Sequence, residues 1–201
     1  MKNCELNDTI RESLESIDIR RLSMLIGHMG DKLNGHKDRF DKSDIIEKAM
    51  EIYSDGSIRH VDEIGYDHMC AEVAKLEVKS QKYCLYTEKT SKKKSKTSAI
   101  KLMNSLGDAS KRKREDVIRF DALAIVDSDP LAPAVAYIMA KDIKSEWLKF
   151  EGDGVTVQIP TDSLVFICGK TEPPCLNEGK EFFDYKRRKD EFQRAYIRSF
   201  K

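Results

Sequence analysis

Asp67, Glu77 and Lys79 are the residues of this sequence whose types and spacing best suit catalysis. The stretch Ile64-Gly65-Tyr66-Asp67 is followed ten residues on by Leu76-Glu77-Val78-Lys79-Ser80. If residues 72 to 79 form a strand, alternation puts Glu77 and Lys79 on one side and Ala74, Leu76 and Val78 on the other. Two acids and a lysine then meet at one edge of a sheet. Carboxylates are hard oxygen ligands suited to Mg²⁺, and a neighbouring ammonium can orient a water or steady charge on a phosphate.

Two further triplets compete for this role. Glu178-Gly-Lys180 follows Glu172-Pro173-Pro174 and Asn177, turn formers that cannot continue a central strand. Asp142-Ile-Lys144, with Asp127 and Asp129 upstream, leads into Ser145-Glu146-Trp147-Leu148, a strand exit or a helix start. Only Glu77-x-Lys79 lies inside an alternating apolar pattern. The plain alternative is that its charges are the solvent face of an edge strand.

Gly65-x-Asp67, nine intervening residues and Glu77-x-Lys79 on an apolar-alternating strand resemble the core motif of the PD-(D/E)xK nucleases, and within them the type II restriction endonucleases. Tyr66 stands where that family commonly has Pro. The resemblance implies that Asp67, Glu77 and the backbone carbonyl of Val78 bind Mg²⁺. It implies that Lys79 orients the attacking water and stabilises the transition state, leaving a 5′-phosphate and a 3′-hydroxyl. A palindromic target would call for a symmetric homodimer.

With 201 residues, 40% hydrophobic and 35% charged, the chain suits one domain with a proper core and a heavily charged surface. A net charge of +1 exerts no global pull on nucleic acid, so the distribution of charge matters more. No apolar run is long enough for a transmembrane helix, and the N-terminus lacks the apolar core of a signal peptide. Five cysteines, with no Cys-x-x-Cys pair, argue against structural zinc and a disulfide framework and fit a reducing cytoplasm. The absence of a Gly-rich phosphate loop argues against a nucleotide cofactor.

The strongest charge anomaly lies between Lys89 and Arg119, where eight Lys and three Arg face three acids, a net of +8. Its DNA-contact candidates are Lys92, Lys93, Lys94, Lys96, Lys101, Asn104, Lys111, Arg112, Lys113 and Arg114. Basic loops beside an acidic metal site are what a phosphate backbone requires, because the carboxylates alone would repel it. A solvated lysine loop is the alternative.

The elements that must position these groups follow from periodicity. Thr9-Ile10-Arg11-Glu12 has the capping-box form before a first helix through Leu14 and Ile17. Leu22, Leu25, Ile26, Met29 and Leu33 continue an apolar stripe that could pack on the core or on a second copy. Ser43 or Asp44 caps a third helix ending at Asp55-Gly56, on which Glu47 and Glu51 are candidates for an extra active-site acid or simple surface charges. His60 and His68 flank the acids as surface residues or as groups acting near a phosphate.

Strands are expected at 120–126, 134–139, 155–159 and 164–168, with Asp121 at the mouth of the first or, alternatively, ligating metal. A closing helix from about residue 179 carries an aromatic stripe, Phe182 to Phe200, and the basic cluster Lys186 to Lys189. Helices, then a sheet, then a helix indicate an α/β (α+β) fold: a mixed central sheet flanked by helices, which by resemblance is a restriction-endonuclease-like core. The expected division is a helical part over 1–56, where the dimer contact would lie, a catalytic sheet with basic loops over 57–170, and a C-terminal helix over 171–201. The function expected is a Mg²⁺-dependent endonuclease that cuts duplex DNA at a short sequence. Its rivals are a nickase or junction resolvase of the same chemistry, and a DNA-binding protein that catalyses nothing.

Overall fold

The strand that carries Glu77 and Lys79 is also the strand around which the chain assembles. In the computed structural model, which describes residues 3–19, 21–22, 24–26, 42–63, 65–81, 96–97, 99–103, 113–127, 134–151 and 154–168, it runs Ala74–Gln81 and is β3. It sits between β2 (Tyr66–Cys70), antiparallel to it, and β5 (Ala122–Asp127), parallel to it. With β1 (Ile58–Glu63), β6 (Ala134–Met139) and β9 (Val165–Cys168) these form a six-stranded mixed sheet in the order β1-β2-β3-β5-β6-β9. A parallel neighbour needs a crossover, and β4 (Ile100–Met103) and the short α3 (Arg114–Val117) occupy the chain between β3 and β5.

Alternation gives the sheet two apolar faces. Leu76, Val78, Ala122, Ala124, Val126, Val135 and Tyr137 point to one side, where α1 (Asn3–Glu15) contributes Ile10 and Leu14 and α2 (Lys42–Tyr53) contributes Ile46, Ala49 and Met50. Leu123, Ile125, Ala136 and Ile138 point to the other. A three-stranded antiparallel sheet covers that second face, in the order β4-β8-β7, with β7 at Leu148–Glu151 and β8 at Gly154–Val157. A layer of helices, a mixed sheet and a smaller sheet make this a mixed α/β protein. Buried on both faces, β5 and β6 read as continuous apolar runs in the sequence.

The connections are specified locally. Between β2 and β3, Ala71 and Glu72 both take positive φ, 46° and 59°, at the centre of a turn closed by the Val73 N–H on the Cys70 carbonyl, within a three-residue connection. Neither residue favours that region, and the turn is held from outside by the Ala71 N–H on the Ser57 carbonyl and by a two-pronged Arg59–Glu72 ion pair. Asp121 joins the starts of β3 and β5: its carboxylate accepts from the Lys75 N–H at 2.8 Å, and its own N–H donates to the Lys75 carbonyl at 2.8 Å. That clamp is the strand-mouth role expected of Asp121, and its carboxylate is spent on it.

Several elements differ from the sequence reading. Thr9 does not cap a helix: α1 begins at Asn3, and the Thr9 hydroxyl donates to the Glu5 carbonyl at 2.8 Å from within the helix. β1 and β2 lie where the sequence reading named no strand, β4 falls within the expected basic loops, and β7 begins in Ser145-Glu146-Trp147-Leu148, read as a strand exit or a helix start. Residues 21–22 and 24–26 are helical, while the rest of the 22–33 stripe and the expected closing helix lie outside the described residues. Among the described residues no helix is long and apolar enough to cross a membrane.

If α1 is part of the core, truncating Leu14, 1% exposed, should cost about 2–5 kcal/mol. Truncating Ile52, 69% exposed on α2, should change stability by no more than about 0.5 kcal/mol. Urea denaturation of Leu14→Ala and Ile52→Ala measures both, and equal effects would contradict this packing.

Candidate active site

The antiparallel register of β2 and β3 pairs His68 with Leu76 and Met69 with Lys75, so its next step sets Asp67 opposite Glu77. Cross-strand partners on one face approach closely, which brings two carboxylates together. Lys79, two residues beyond Glu77 on the same face, lies between them: its Nζ is 2.6 Å from Glu77 Oε1 and 3.6 Å from Asp67 Oδ2. Asp67 is fixed from a second direction by the Val78 N–H, which donates to its Oδ2 at 3.2 Å. The three side chains predicted to converge are therefore brought together.

Their electrostatics are set by unequal burial. Glu77 is 6% exposed, whereas Asp67 and Lys79 are 26% and 27% exposed. Burial pushes the Glu77 carboxyl up to about 7 from the ordinary 4.5; Lys79 pulls it back, while Asp67 raises it further. Burial also works against the charge on Lys79, but the fields of Glu77 and Asp67 and its hydrogen bond to Glu77 win, so its pKa is raised and it stays an ammonium. Glu47 of α2 adds to the negative field at Lys79. Of the two helix acids considered, Glu47 is the one whose field reaches the lysine; Glu51 acts on His68 and Arg59.

The histidines are not surface residues flanking the acids. His60 and His68 are cross-strand partners with ring centroids 5.0 Å apart, and His68 is fully buried. His68 Nε2 meets the Glu47 carbonyl at 2.9 Å, which ties β2 to α2 on the opposite side of the sheet from Asp67. Burial lowers its pKa and keeps the ring neutral. The histidine thus anchors the helix that carries Glu47.

The basic candidates divide. Lys96 and Lys101 lie at and on the small sheet, with Lys96 in an isolated bridge to Pro160 and Lys101 exposed on β4. Lys113 is exposed at the start of α3. Arg114 is half-buried and donates to the carbonyls of Ile143 and Ala140, so those donors close the chain onto the segment after β6 and are not available to a phosphate. Lys92, Lys93, Lys94, Asn104, Lys111 and Arg112 lie outside the described residues. Of the competing triplets, Asp142 ends one short 3-10 turn and Lys144 precedes another, with its Nζ 5.5 Å from the Trp147 ring, so that triplet is not on a strand.

The donor set fits a hard divalent cation. Asp67 and Glu77 offer carboxylate oxygens side by side, the Val78 carbonyl lies between Glu77 and Lys79 in the chain, and Mg²⁺ commonly takes few protein ligands and fills the remainder with water and phosphate. Among the described residues no group of three or more His, Cys, Asp or Glu side chains converges, so a richer all-side-chain cage is not on offer. No family model, curated protein or solved structure matches the chain.

Sequence reasoning missed Gly65 as a packing site and Arg119 as its partner. A Cβ on Gly65 would fall 2.8 Å from Arg119 Cβ, a contact between segments more than fifty residues apart that no local pattern announces.

Glu77 holds its proton more tightly folded than unfolded, so its contribution to stability is full below pH 4.5 and is lost as pH rises through about 7. At about 1.4 kcal/mol per unit, the loss is roughly 3 kcal/mol. Glu77→Gln should therefore gain on the wild type by about that amount between pH 4.5 and 8, in urea titrations with EDTA present. A difference that stays flat with pH would mean that burial does not strain this carboxylate.

Proposed function

We propose that the chain is a Mg²⁺-dependent endodeoxyribonuclease acting on duplex DNA, of the type II restriction-endonuclease kind. One observation carries the reading: Asp67 and Glu77 face each other across adjacent strands with Lys79 Nζ 3.6 Å and 2.6 Å from them. The mixed sheet with helices against one face agrees with the fold that the motif implies.

In this reading the chain's own groups divide the work. Asp67 and Glu77, with the Val78 carbonyl beside them, would hold the cation, and Glu77 would do so as a carboxylate. When bound there, the cation would supply neutralising charge and an acidified water. Lys79, an ammonium beside the acids, would orient the water and stabilise the added negative charge on the phosphate under attack. Water oxygen would bond to phosphorus and shed a proton to solvent, the bond from phosphorus to O3′ would break, and O3′ would take up a proton from a second water. The products are a 5′-phosphate and a 3′-hydroxyl.

The exposed Lys96, Lys101 and Lys113, together with the lysines and arginines of 89–112, supply the countercharge for a DNA backbone. Free Cys4 and Cys70 agree with a reducing compartment, which we take to be the cytoplasm. A palindromic target would make the working unit a homodimer; Leu22 and Ile26 of the 22–33 stripe are buried in the chain's own core and are not available for that contact.

The pure protein incubated with large, varied, unmethylated duplex DNA and Mg²⁺ should yield discrete fragments, and none with EDTA. Glu77→Ala and Lys79→Ala should cut at least about a hundredfold more slowly, as expected when a charge-stabilising group is removed. Nicks or branch-specific cuts would move the assignment to a nickase or resolvase. DNA binding without cutting by any form would leave a binding protein.

A further inference from the structure

Beside the acids, two exposed cations are held in place, and no carboxylate among the described residues pairs with the charge of either. Gly65 has φ +98°, and a Cβ there would come within 2.8 Å of Arg119 Cβ, 3.1 Å of its Cδ and 3.3 Å of its Cγ. The aliphatic stem of Arg119 therefore lies on the Gly65 backbone, two residues before Asp67, and the residue remains exposed. Lys75 is exposed on β3, on the same face as Glu77 and about 7 Å along the strand from it. Its main chain is fixed by Asp121 on both its N–H and its carbonyl, and its Nζ stands 5.2 Å from the centroid of the Tyr66 ring. Among the described residues neither Lys75 nor Arg119 has an ion-pair partner.

Ordering the stem of a long cationic side chain forfeits rotamer freedom, and for Arg119 no acid among the described residues gives a charge in return. A pre-positioned guanidinium is suited to gripping phosphate through two parallel hydrogen bonds. The acids meanwhile present excess negative charge to any phosphodiester that approaches them, so cations fixed beside them are required on electrostatic grounds. We propose that Arg119 and Lys75, the latter steered by Tyr66, clamp a backbone phosphate of the DNA strand adjacent to the one that is cut. Gly65 is required by its φ of +98°, and its missing Cβ also leaves room for the arginine's stem. The identity of the anion rests on the nuclease reading.

The test is duplex-DNA binding in EDTA, measured as log affinity against log salt, for wild type, Arg119→Ala, Lys75→Ala and the surface control Lys48→Ala. Each clamp variant should bind about tenfold more weakly near 0.1 M salt, with a slope shallower by about one, and should melt at the wild-type temperature. Lys48→Ala should change neither quantity. Unchanged slopes in both, or no binding by wild type even at low salt, would overturn the clamp. Altered slopes in a protein that never cuts DNA with Mg²⁺ would retain the clamp and remove the nuclease.

Discussion

Burial of the Glu77 carboxyl is the constraint on which the rest of this structure turns. A carboxylate taken out of water must be paired or must keep its proton, and Glu77 stands between those options with a pKa pushed up to about 7. Lys79 at 2.6 Å holds the charge in place, and Asp67 opposes it from the facing strand. The arrangement persists because the same strand is anchored by its other face, where Leu76 and Val78 are fully buried against the helices. Strain at the acids is thus carried by apolar packing a few ångströms away, which is how functional sites are commonly sustained.

Around that strand the supports are mostly long-range. Asp121 fastens the starts of β3 and β5, His68 fastens β2 to α2, and Arg59 with Glu72 closes the hairpin that presents Asp67. Each uses a polar group near the acids for structure and not for chemistry. The distinction matters when reading such a chain, since Asp121 and His68 are as chemically competent as Asp67 and Glu77 in isolation. What separates them is placement: Asp121 is engaged by the Lys75 main chain and His68 lies on the helix side of the sheet, whereas Asp67 and Glu77 share the face that carries Lys79.

The sequence made Glu77 and Lys79 legible as neighbours because period-two alternation fixes which side chains share a face; that Asp67 sits on a strand of its own, β2, paired against β3, was not read from it. The apolar strands β5 and β6 were equally plain, as continuous runs buried on both faces. β1, β4 and β7 were not: Arg59, His60 and Asp62 interrupt alternation in β1, while β4 and β7 are four residues each, too short for the Leu148-Lys149-Phe150-Glu151 alternation to stand out, and their pairing is decided by partners elsewhere in the chain. Thr9 misled for a different reason. A Thr three residues before a Glu fits a cap equally well whether or not the helix has already begun, and only the six residues upstream, Asn3 to Asp8, settle it. The inward turn of Arg114 was invisible because nothing in a run of basic residues says which one a distant carbonyl will capture.

The buried thiol of Cys70 has a consequence of its own. It ends the strand that carries Asp67, has no exposed surface, and is pushed up to about 12 by burial, so in the closed sheet almost none of it is thiolate. The thiolate is the reactive form, and Cys70 becomes reactive only in those moments when β2 parts from the helices above it. The protein therefore carries, three residues from a catalytic-motif acid, a built-in clock for the breathing of that strand: its rate of alkylation records how often the acid's own support comes undone.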